Sequence, residues 1–263
     1  MQNEEIVHYL TQDEVTLPVG AQVSLVDVPG ASFSHSLHAN VDFSDSSLRA
    51  MDARDAEFQG CSFSRVNLTG MLAEGAVFTD CTFTQLDMTQ LYGLRATFTG
   101  CLFEGVDMAS GYFEQATLRN NTFTSSVLSR AGSPSIFVGA TIQDNFFSSC
   151  VLDSVDFEST ATVANTMRAC SLRGAYLTAA SVYASIFESV DLRGASLDYA
   201  VIENTLISGD VHNVDATGIK AIGSDLAQAH GTILIDDDTS FENCDTGDHL
   251  VLAPLSLSTK GDE

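Results

Sequence analysis

Residues 56–85 read AEFQG CSFSR VNLTG MLAEG AVFTD CTFTQ, six five-residue units whose third residue is apolar in every case. The same spacing extends in both directions. From Phe33 to Leu128, eighteen of twenty positions at this spacing are apolar, and after a nine-residue step so are fourteen of fifteen from Phe137 to Ile207. Neither the helical period of 3.6 nor the strand period of 2 produces this pattern. A fixed internal period predicts a solenoid, in which each unit packs only on its neighbours.

A second apolar column lies two residues before the first and holds small side chains, among them Cys61, Cys81 and Ala96. Each unit therefore directs one large and one small side chain inward. A twenty-residue period is superimposed on the five, as in Phe63 and Phe83, so four units should form one turn. Where the large inward residue becomes small, as at Gly93, the preceding inward position is large, which keeps the volume of each layer constant, as close packing requires.

The units Val66-Asn-Leu, Val155-Asp-Phe and Val190-Asp-Leu resemble the consensus A(D/N)LXX of the pentapeptide-repeat family. The resemblance implies an all-β fold, a right-handed quadrilateral parallel β-helix of about ten coils. We expect residues 1–20 to form an N-terminal cap or lead-in, residues 21–222 the β-helix, and residues 223–263 a C-terminal cap with an acidic tail. Gly223–His230 is expected to form a short capping helix, with Ser224 as its N-cap.

The repeat is irregular at 129–136, where Gly132 and Pro134 favour a turn. The nine-residue step is compatible with a four-residue loop at a corner or with a one-residue deletion. Either interpretation leaves one domain.

The formal net charge of −24 is uneven along the chain. Residues 21–209 carry twenty acidic residues and nine arginines, whereas 210–263 carry eleven acidic residues and two lysines. Without a basic stripe, direct binding to nucleic acid is not expected. The sequence shows neither a leader-like basic and apolar stretch nor eighteen consecutive apolar residues, so we expect a cytoplasmic protein that does not enter membranes.

Five of the six cysteines occupy the small inward column, which indicates packing rather than a metal or redox site; Cys244 lies outside it and is expected to be a free thiol. Motifs for phosphate binding, zinc hydrolysis or a serine nucleophile are missing from the sequence. We therefore expect no enzyme, no cofactor and no metal. Among polar residues in the large inward column, His38 is expected to be partly exposed near the solenoid end, and Thr162 to bond a backbone carbonyl.

Outward acidic residues beside the large column are the candidate partner-binding residues, together with three residues of the irregular segment. They are Asp87, Glu104, Asp107, Glu114, Asp153, Asp156, Glu188 and Asp191, with Arg130, Ser133 and Pro134. Arg173 and Arg193 should stack twenty residues apart, and we expect nearby acids such as Asp191 to pair with them.

The resemblance extends to the quinolone-resistance pentapeptide proteins, which imitate B-form DNA and bind type II topoisomerases. It implies a protein partner such as DNA gyrase, topoisomerase IV or another DNA-binding protein. A passive scaffold or interaction module, whose partner does not bind DNA, is the alternative. Monomer and homodimer both remain open.

Overall fold

The computed structural model describes residues 3–12 and 16–255. Helix α1 spans Asn3–Leu10. The strands in chain order are β1 (Gln22–Ser24), β2 (Leu37–Ala39), β3 (Asp42–Ser44), β4 (Glu57–Gln59), β5 (Ser62–Ser64), β6 (Val77–Thr79), β7 (Thr82–Thr84), β8 (Thr97–Thr99), β9 (Leu102–Glu104), β10 (Thr117–Arg119), β11 (Thr122–Thr124), β12 (Val127–Ser129), β13 (Thr141–Gln143), β14 (Phe146–Ser148), β15 (Val151–Leu152), β16 (Ala161–Val163), β17 (Thr166–Arg168), β18 (Ser181–Tyr183), β19 (Ile186–Asp191), β20 (Val201–Glu203), β21 (Leu206–Asp210), β22 (Val214–Asp215), β23 (Lys220–Ile222), β24 (Ala229–Ile235), β25 (Ser240–Glu242) and β26 (Leu250–Pro254).

These strands form a parallel solenoid with four faces per turn, numbered here in chain order. Face 1 holds the sheet that begins β1-β3-β5 and ends near β24, and face 4 holds the sheet from β2 to β25. Faces 2 and 3 are joined mainly by single parallel bridges, such as Asp87↔Asp107 on face 2 and Tyr92↔Tyr112 on face 3. The four-sided coil predicted from the twenty-residue period is confirmed.

The solenoid has about twelve turns rather than the predicted ten. The extra turns come from residues beyond 222, where β23 pairs with β25 and β24 pairs with β26. Most of the acidic residues assigned by sequence to a tail therefore lie on regular coils up to Pro254. The last part of that predicted tail, residues 256–263, lies outside the described residues.

The predicted capping helix at Gly223–His230 is wrong. This segment forms a bend, a bridge at Asp225 and the start of β24. Ser224 accepts a hydrogen bond from the backbone N–H of Thr205 at 3.2 Å instead of capping a helix. Leu226 occupies the inward column five residues after Ala221, so the repeat prevails over a local helical pattern that is too short to be stable alone.

A four-residue insertion produces the irregularity at 129–136. Pairing advances by twenty residues elsewhere in this region, as in Leu102↔Thr122, but by twenty-four in Thr122↔Phe146. The extra residues form a tight turn in which the Ser133 N–H donates to the Arg130 carbonyl at 2.9 Å. Gly132 has a φ of 83°, which glycine adopts without strain. Of the two alternatives, the loop is confirmed.

The five-residue spacing of the inward side chains is interrupted near residue 208, because one turn of the solenoid there is one residue shorter. The pairing Phe187↔Ile207 advances by twenty residues, and the next pair, Val190↔Gly209, by nineteen. A Cβ added to Gly209 would lie 2.1 Å from the Val190 carbonyl oxygen. Glycine is therefore required where the shortened coil approaches its neighbour.

Stacked phenylalanines fill the interior as predicted. On face 1 the rings of Phe63 and Phe83 are 5.0 Å apart and parallel within 4°, and those of Phe83 and Phe103 are 4.7 Å apart. On face 4, Phe78 meets Phe98 at 4.9 Å. Both of the adjoining stacks are fully buried, and edge-to-face contacts such as Phe78–Phe83 join them. The result is one continuous core.

A buried polar ladder, which the sequence analysis missed, continues the cysteine column of the corner before face 1. Asn121 accepts a hydrogen bond from the Cys101 N–H at 2.8 Å, and Asn145 accepts one from the Asn121 N–H at 2.9 Å. The Asn145 amide also donates to the Leu118 carbonyl at 2.8 Å. Each side chain therefore joins neighbouring coils and leaves the buried amide paired.

Helix α1 covers the N-terminal end of the solenoid, which the sequence predicted only as a cap or lead-in. Ile6 and Leu10 are buried and belong to the core. Their separation of four residues places them on one helical face, a signal present in the sequence. Within residues 3–12 and 16–255, no helix has the length and hydrophobicity needed to span a membrane.

Phe83→Ala should lower the free energy of unfolding by about 3–5 kcal/mol, because the cavity would interrupt the longest ring stack. Denaturant unfolding followed by circular dichroism measures this change. Phe146→Ala is the matched control, since Phe146 lies on the outer side of β14 and is only half-buried. A loss at Phe83 no larger than that at Phe146 would contradict the stacked core.

Candidate partner-binding surface

The eight predicted acidic residues lie on three faces of the solenoid. Face 2 carries four, Asp87, Asp107, Asp153 and Asp191. Glu104 and Glu188 lie on face 1, and Glu114 and Asp156 on face 3. Asp87 and Asp107 are paired on successive coils, as predicted. The acids therefore do not form one continuous column, and face 2 is their main site.

Arginines neutralise part of face 2. Asp107 pairs with Arg130 of the loop. Asp191 pairs with Arg193 at 2.6 Å and with Arg173 at 2.5 Å, which confirms the predicted intramolecular pairing of the two stacked arginines. The hydrogen bond from Arg193, reinforced by that from Arg173, holds the pKa of Asp191 well below its usual range. Face 2 consequently alternates positive and negative groups along the rod.

The other two acids of face 2 bond backbone and hydroxyl groups. Asp87 accepts hydrogen bonds from the N–H and hydroxyl of Thr89 at 2.8 and 2.7 Å. Asp153 accepts one from the Arg173 N–H at 3.2 Å. In residues 16–255 neither carboxylate has a salt bridge, so both retain charge for an external cation.

The loop lies at the corner between faces 2 and 3, on the coil between those of Asp107 and Asp153. Pro134 is exposed, and Ser133 is half-buried with its carbonyl accepting from the Ser110 N–H at 3.2 Å. The Ser129 hydroxyl anchors the base of the loop by donating to the Asp153 carbonyl at 2.9 Å. Arg130, Ser133 and Pro134 thus lie together, with Asp107 and Asp153 on the two adjoining coils.

On faces 1 and 3 the acids have mixed surroundings. Glu188 pairs with Arg168 at 2.7 Å, and Glu104 is exposed. Glu114 accepts a hydrogen bond from the Tyr112 hydroxyl, and Asp156 accepts one from the Glu158 N–H at 3.0 Å. These four residues are outward, as predicted, but they lie on faces 1 and 3 and not with the four acids of face 2.

The expectation that His38 is partly exposed is wrong. Its side chain is fully buried, stacks on Phe58 at 4.9 Å and lies 2.7 Å from the Ser36 hydroxyl oxygen through Nε2. Burial lowers the pKa of His38 to about 4. The Leu17 N–H lies 3.4 Å from its Nδ1, so His38 joins the end of the ring stack to the lead-in. Thr162, as predicted, donates to a backbone carbonyl, that of Ser181, at 3.1 Å.

The cysteine column is buried as predicted. Cys61, Cys81, Cys101, Cys150 and Cys170 are unpaired and buried, and Cys244 is half-buried. The adjacent Cys101 thiol and burial raise the pKa of Cys81 to about 12. Among the described residues, no group of three or more metal-binding side chains is arranged around a common point.

The interior of the described solenoid offers little space for a ligand. A cavity of about 20 Å³ lies among apolar C-terminal side chains that include Ile207, Val214 and Leu226. This volume holds about one water-sized sphere, and an apolar lining gives a water no partner.

The sequence analysis also missed a column of outward apolar residues on face 3. Leu72, Tyr92, Tyr112 and Ile136 follow one another on successive coils. The rings of Tyr92 and Tyr112 are 5.2 Å apart and parallel within 4°. A search for outward apolar residues at twenty-residue intervals would have found this column.

A four-sided parallel solenoid built from five-residue units, with most of its polar side chains on the outer faces, defines the class of this protein. The sequence matches the pentapeptide-repeat family, described as pentapeptide repeats in eight copies, over residues 30–70, 56–91 and 170–209. The chain is a pentapeptide-repeat protein. It matches no curated protein sequence.

Three solved structures illustrate the likeness. HetL, a pentapeptide-repeat protein involved in heterocyst differentiation regulation in the cyanobacterium Nostoc sp. strain PCC 7120, is 16% identical with a TM-score of 0.36, over 76% of this chain and 94% of HetL. QnrB1, a plasmid-mediated fluoroquinolone resistance protein, is 13% identical with a TM-score of 0.46, over 68% and 93%. PfbA, a surface adhesin of Streptococcus pneumoniae, is 8% identical with a TM-score of 0.43, over 94% and 86%. At these scores the likenesses carry no argument about function.

Native thiol titration should label Cys244 rapidly and the five column cysteines only after unfolding, because all five thiols are buried and the reagent cannot reach them in the folded protein. Cys244→Ser should abolish the rapid phase. Rapid labelling of two or more thiols in the native wild-type protein would contradict the packing role.

His38 should make stability depend on pH. Its folded pKa of about 4 lies below the value of 6.5 for the free side chain, so its contribution is complete above pH 6.5 and is lost as pH falls towards 4. Between pH 7 and pH 4.5 the loss should be about 2–3 kcal/mol.

Denaturant unfolding at both pH values measures this loss. His38→Phe keeps a ring in the stack but cannot be protonated, so the variant should lose less stability on acidification than the wild type. An equal loss in both proteins would assign the effect to carboxylates instead.

Proposed function

We propose that this protein is a non-catalytic binding rod that holds a protein partner against face 2. The observation that supports the proposal is the presence of four outward acids on face 2 with the insertion loop at the edge of that face. Loops carry specificity in many proteins because they are tolerated on a rigid scaffold without disturbing its core. Here the core supplies the rigidity, and the loop distinguishes one stretch of face 2 from the rest.

The charge pattern of face 2 indicates the kind of partner surface. Asp87 and Asp153 keep unpaired charge, whereas Asp107 and Asp191 share theirs with arginines. Such a face would attract a basic surface of the partner. The loop and the ion pairs of Asp107 and Asp191 with their arginines would then orient that surface. Binding of this kind should weaken as salt rises, since the charges are exposed.

Imitation of DNA is a second candidate function, favoured by the rod shape and by the net charge of −24. In this version the partner is DNA gyrase, topoisomerase IV or another DNA-binding protein, and the acids take the place of phosphates. The interleaved arginines make face 2 less uniform than a duplex, which carries a charge every ~1.7 Å. The passive scaffold remains the contrasting proposal.

Reversal of the unpaired acids tests the binding face. In a pull-down from bacterial lysate at low salt, Asp87→Lys with Asp153→Lys should lose a protein that the wild type retains, because two favourable contacts become repulsive. Glu57→Lys with Glu203→Lys makes the same charge change on face 4 and should retain it. Melting temperatures should show that all three proteins remain folded.

A supercoiling assay with purified gyrase and the same three proteins distinguishes imitation of DNA from binding to another basic protein. If the wild type inhibits or protects gyrase and the face 2 variant does neither, the result supports imitation of DNA. If the wild type neither binds nor affects gyrase or topoisomerase IV at micromolar concentration, the topoisomerase version is wrong. If the lysate yields no protein that depends on face 2, the binding proposal itself fails and the scaffold replaces it.

A further inference from the structure

Face 3 carries a continuous apolar surface that face 2 binding does not use. We define the tyrosine strip as the column Leu72, Tyr92, Tyr112 and Ile136 with its neighbours Leu94 and Val138. Leu72 is 37% exposed and Tyr92 38%, and the other four are half-buried. Six apolar side chains thus lie on four consecutive coils, and the column Leu72, Tyr92, Tyr112 and Ile136 contains no charged residue.

The strip lies on the most acidic of the four faces over these coils. Over six coils, face 3 carries six outward acids and two arginines, a larger excess of acids than faces 1, 2 or 4 carry over the corresponding coils. The acids are Asp52, Asp55, Glu74, Glu114, Asp156 and Glu158, and the arginines are Arg54 and Arg95.

The unneutralised charge is concentrated at one end. Arg54 pairs with Asp52 and Arg95 with Glu74, each at 2.6 Å. Within residues 16–255, Glu114, Asp156 and Glu158 have no arginine or lysine at salt-bridge distance. The strip is therefore apolar along its length and anionic where it passes Ile136.

This pattern disfavours a second copy as the occupant. Two such faces brought together would oppose their own acids, and like charges so placed are destabilising. A cationic partner with an apolar centre is complementary instead, because burial of apolar area supplies affinity and charge supplies orientation.

The spacing of the strip discriminates between a helical and an extended partner. Coils repeat every ~4.8 Å along the rod, and the Tyr92 and Tyr112 rings are 5.2 Å apart. A helix repeats its apolar ridge every ~5.4 Å, so three turns drift by only about 2 Å against three coils. A strand repeats the side chains of one face every ~6.6 Å. Three such repeats are therefore longer than three coils by more than ~5 Å, which is a whole coil.

We propose that the tyrosine strip is a docking surface for an amphipathic α-helix of a partner protein, with its apolar ridge along Leu72–Ile136 and basic residues facing Glu114, Asp156 and Glu158. The stacked tyrosines hold the ridge-like surface in place before binding, and this lowers the ordering cost of association. The inference rests on the proposed function only in taking the partner to be a protein, and it uses a different face.

A synthetic peptide tests the surface directly. The probe is a fluorescein-labelled 18-residue peptide of leucine and lysine with its leucines on one helical face, and the control peptide has the same composition in scrambled order. Fluorescence anisotropy with the full chain at 150 mM salt gives both dissociation constants. The helical peptide should bind about tenfold or more tightly than the scrambled one, because only it presents an apolar ridge.

Two pairs of variants separate the strip from bulk charge. Tyr92→Ser with Leu94→Ser should weaken binding about tenfold, whereas Tyr183→Ser with Ile186→Ser, which removes exposed apolar groups from faces 4 and 1, should change it less than about twofold. Glu114→Gln with Glu158→Gln should weaken it about fivefold more than Glu57→Gln with Glu203→Gln. The face 2 variant Asp87→Lys with Asp153→Lys should lose less affinity than the strip variants.

Three outcomes would overturn the proposal. Equal affinity for the helical and scrambled peptides would reduce the effect to charge attraction. Unchanged binding by the Tyr92/Leu94 variant would remove the strip from the contact. Self-association of the wild type, seen by sedimentation and abolished in that variant, would make a second copy the occupant. None of these results bears on face 2, so failure here is distinguishable from failure of the proposed function.

Discussion

Inward stacking of one large and one small side chain in every five residues is the constraint on which the rest of this structure depends. Parallel rings such as Phe63 and Phe83 stack 5.0 Å apart, which matches the spacing that backbone hydrogen bonds impose on the paired strands β5 and β7. Because each layer must keep the same volume, sequence change is confined to outward positions and corners. The core consequently determines the rod but leaves its four faces free to differ.

The fold was predictable because the signal is repeated dozens of times, and a single irregular unit such as His38 does not obscure it. Where a single local signal stood alone, the prediction failed. Ser224 has the pattern of a helix cap, but the nineteen-residue turn before it moves the inward column by one position and places Leu226 in the core. The loop at 130–133 was left open because an insertion and a deletion have the same short-range spacing.

The candidate surface was only partly predictable for a different reason. Outward positions follow from the period, so Asp87 and Asp107 could be placed on one face from sequence. Charge pairing depends on side chains that cross between coils, as Arg130 does to reach Asp107, and that geometry has no short-range pattern. The tyrosine strip was not predicted because single exposed apolar residues are common, so none of its members is conspicuous alone, and only their twenty-residue spacing shows that they share a face.

Face-specific binding is the central claim, and one turn of the solenoid provides four equivalent positions that test it. A photoreactive phenylalanine analogue can replace Thr84, Thr89, Leu94 or Thr99, which occupy the same place on faces 1, 2, 3 and 4 and are all half-buried. Irradiation in bacterial lysate, followed by mass spectrometry, reports which face touches a protein. We expect crosslinks from Thr89 and Leu94 and few from Thr84 and Thr99. Crosslinking that is equal on all four faces, or missing from every face, would show that binding is not specific to a face.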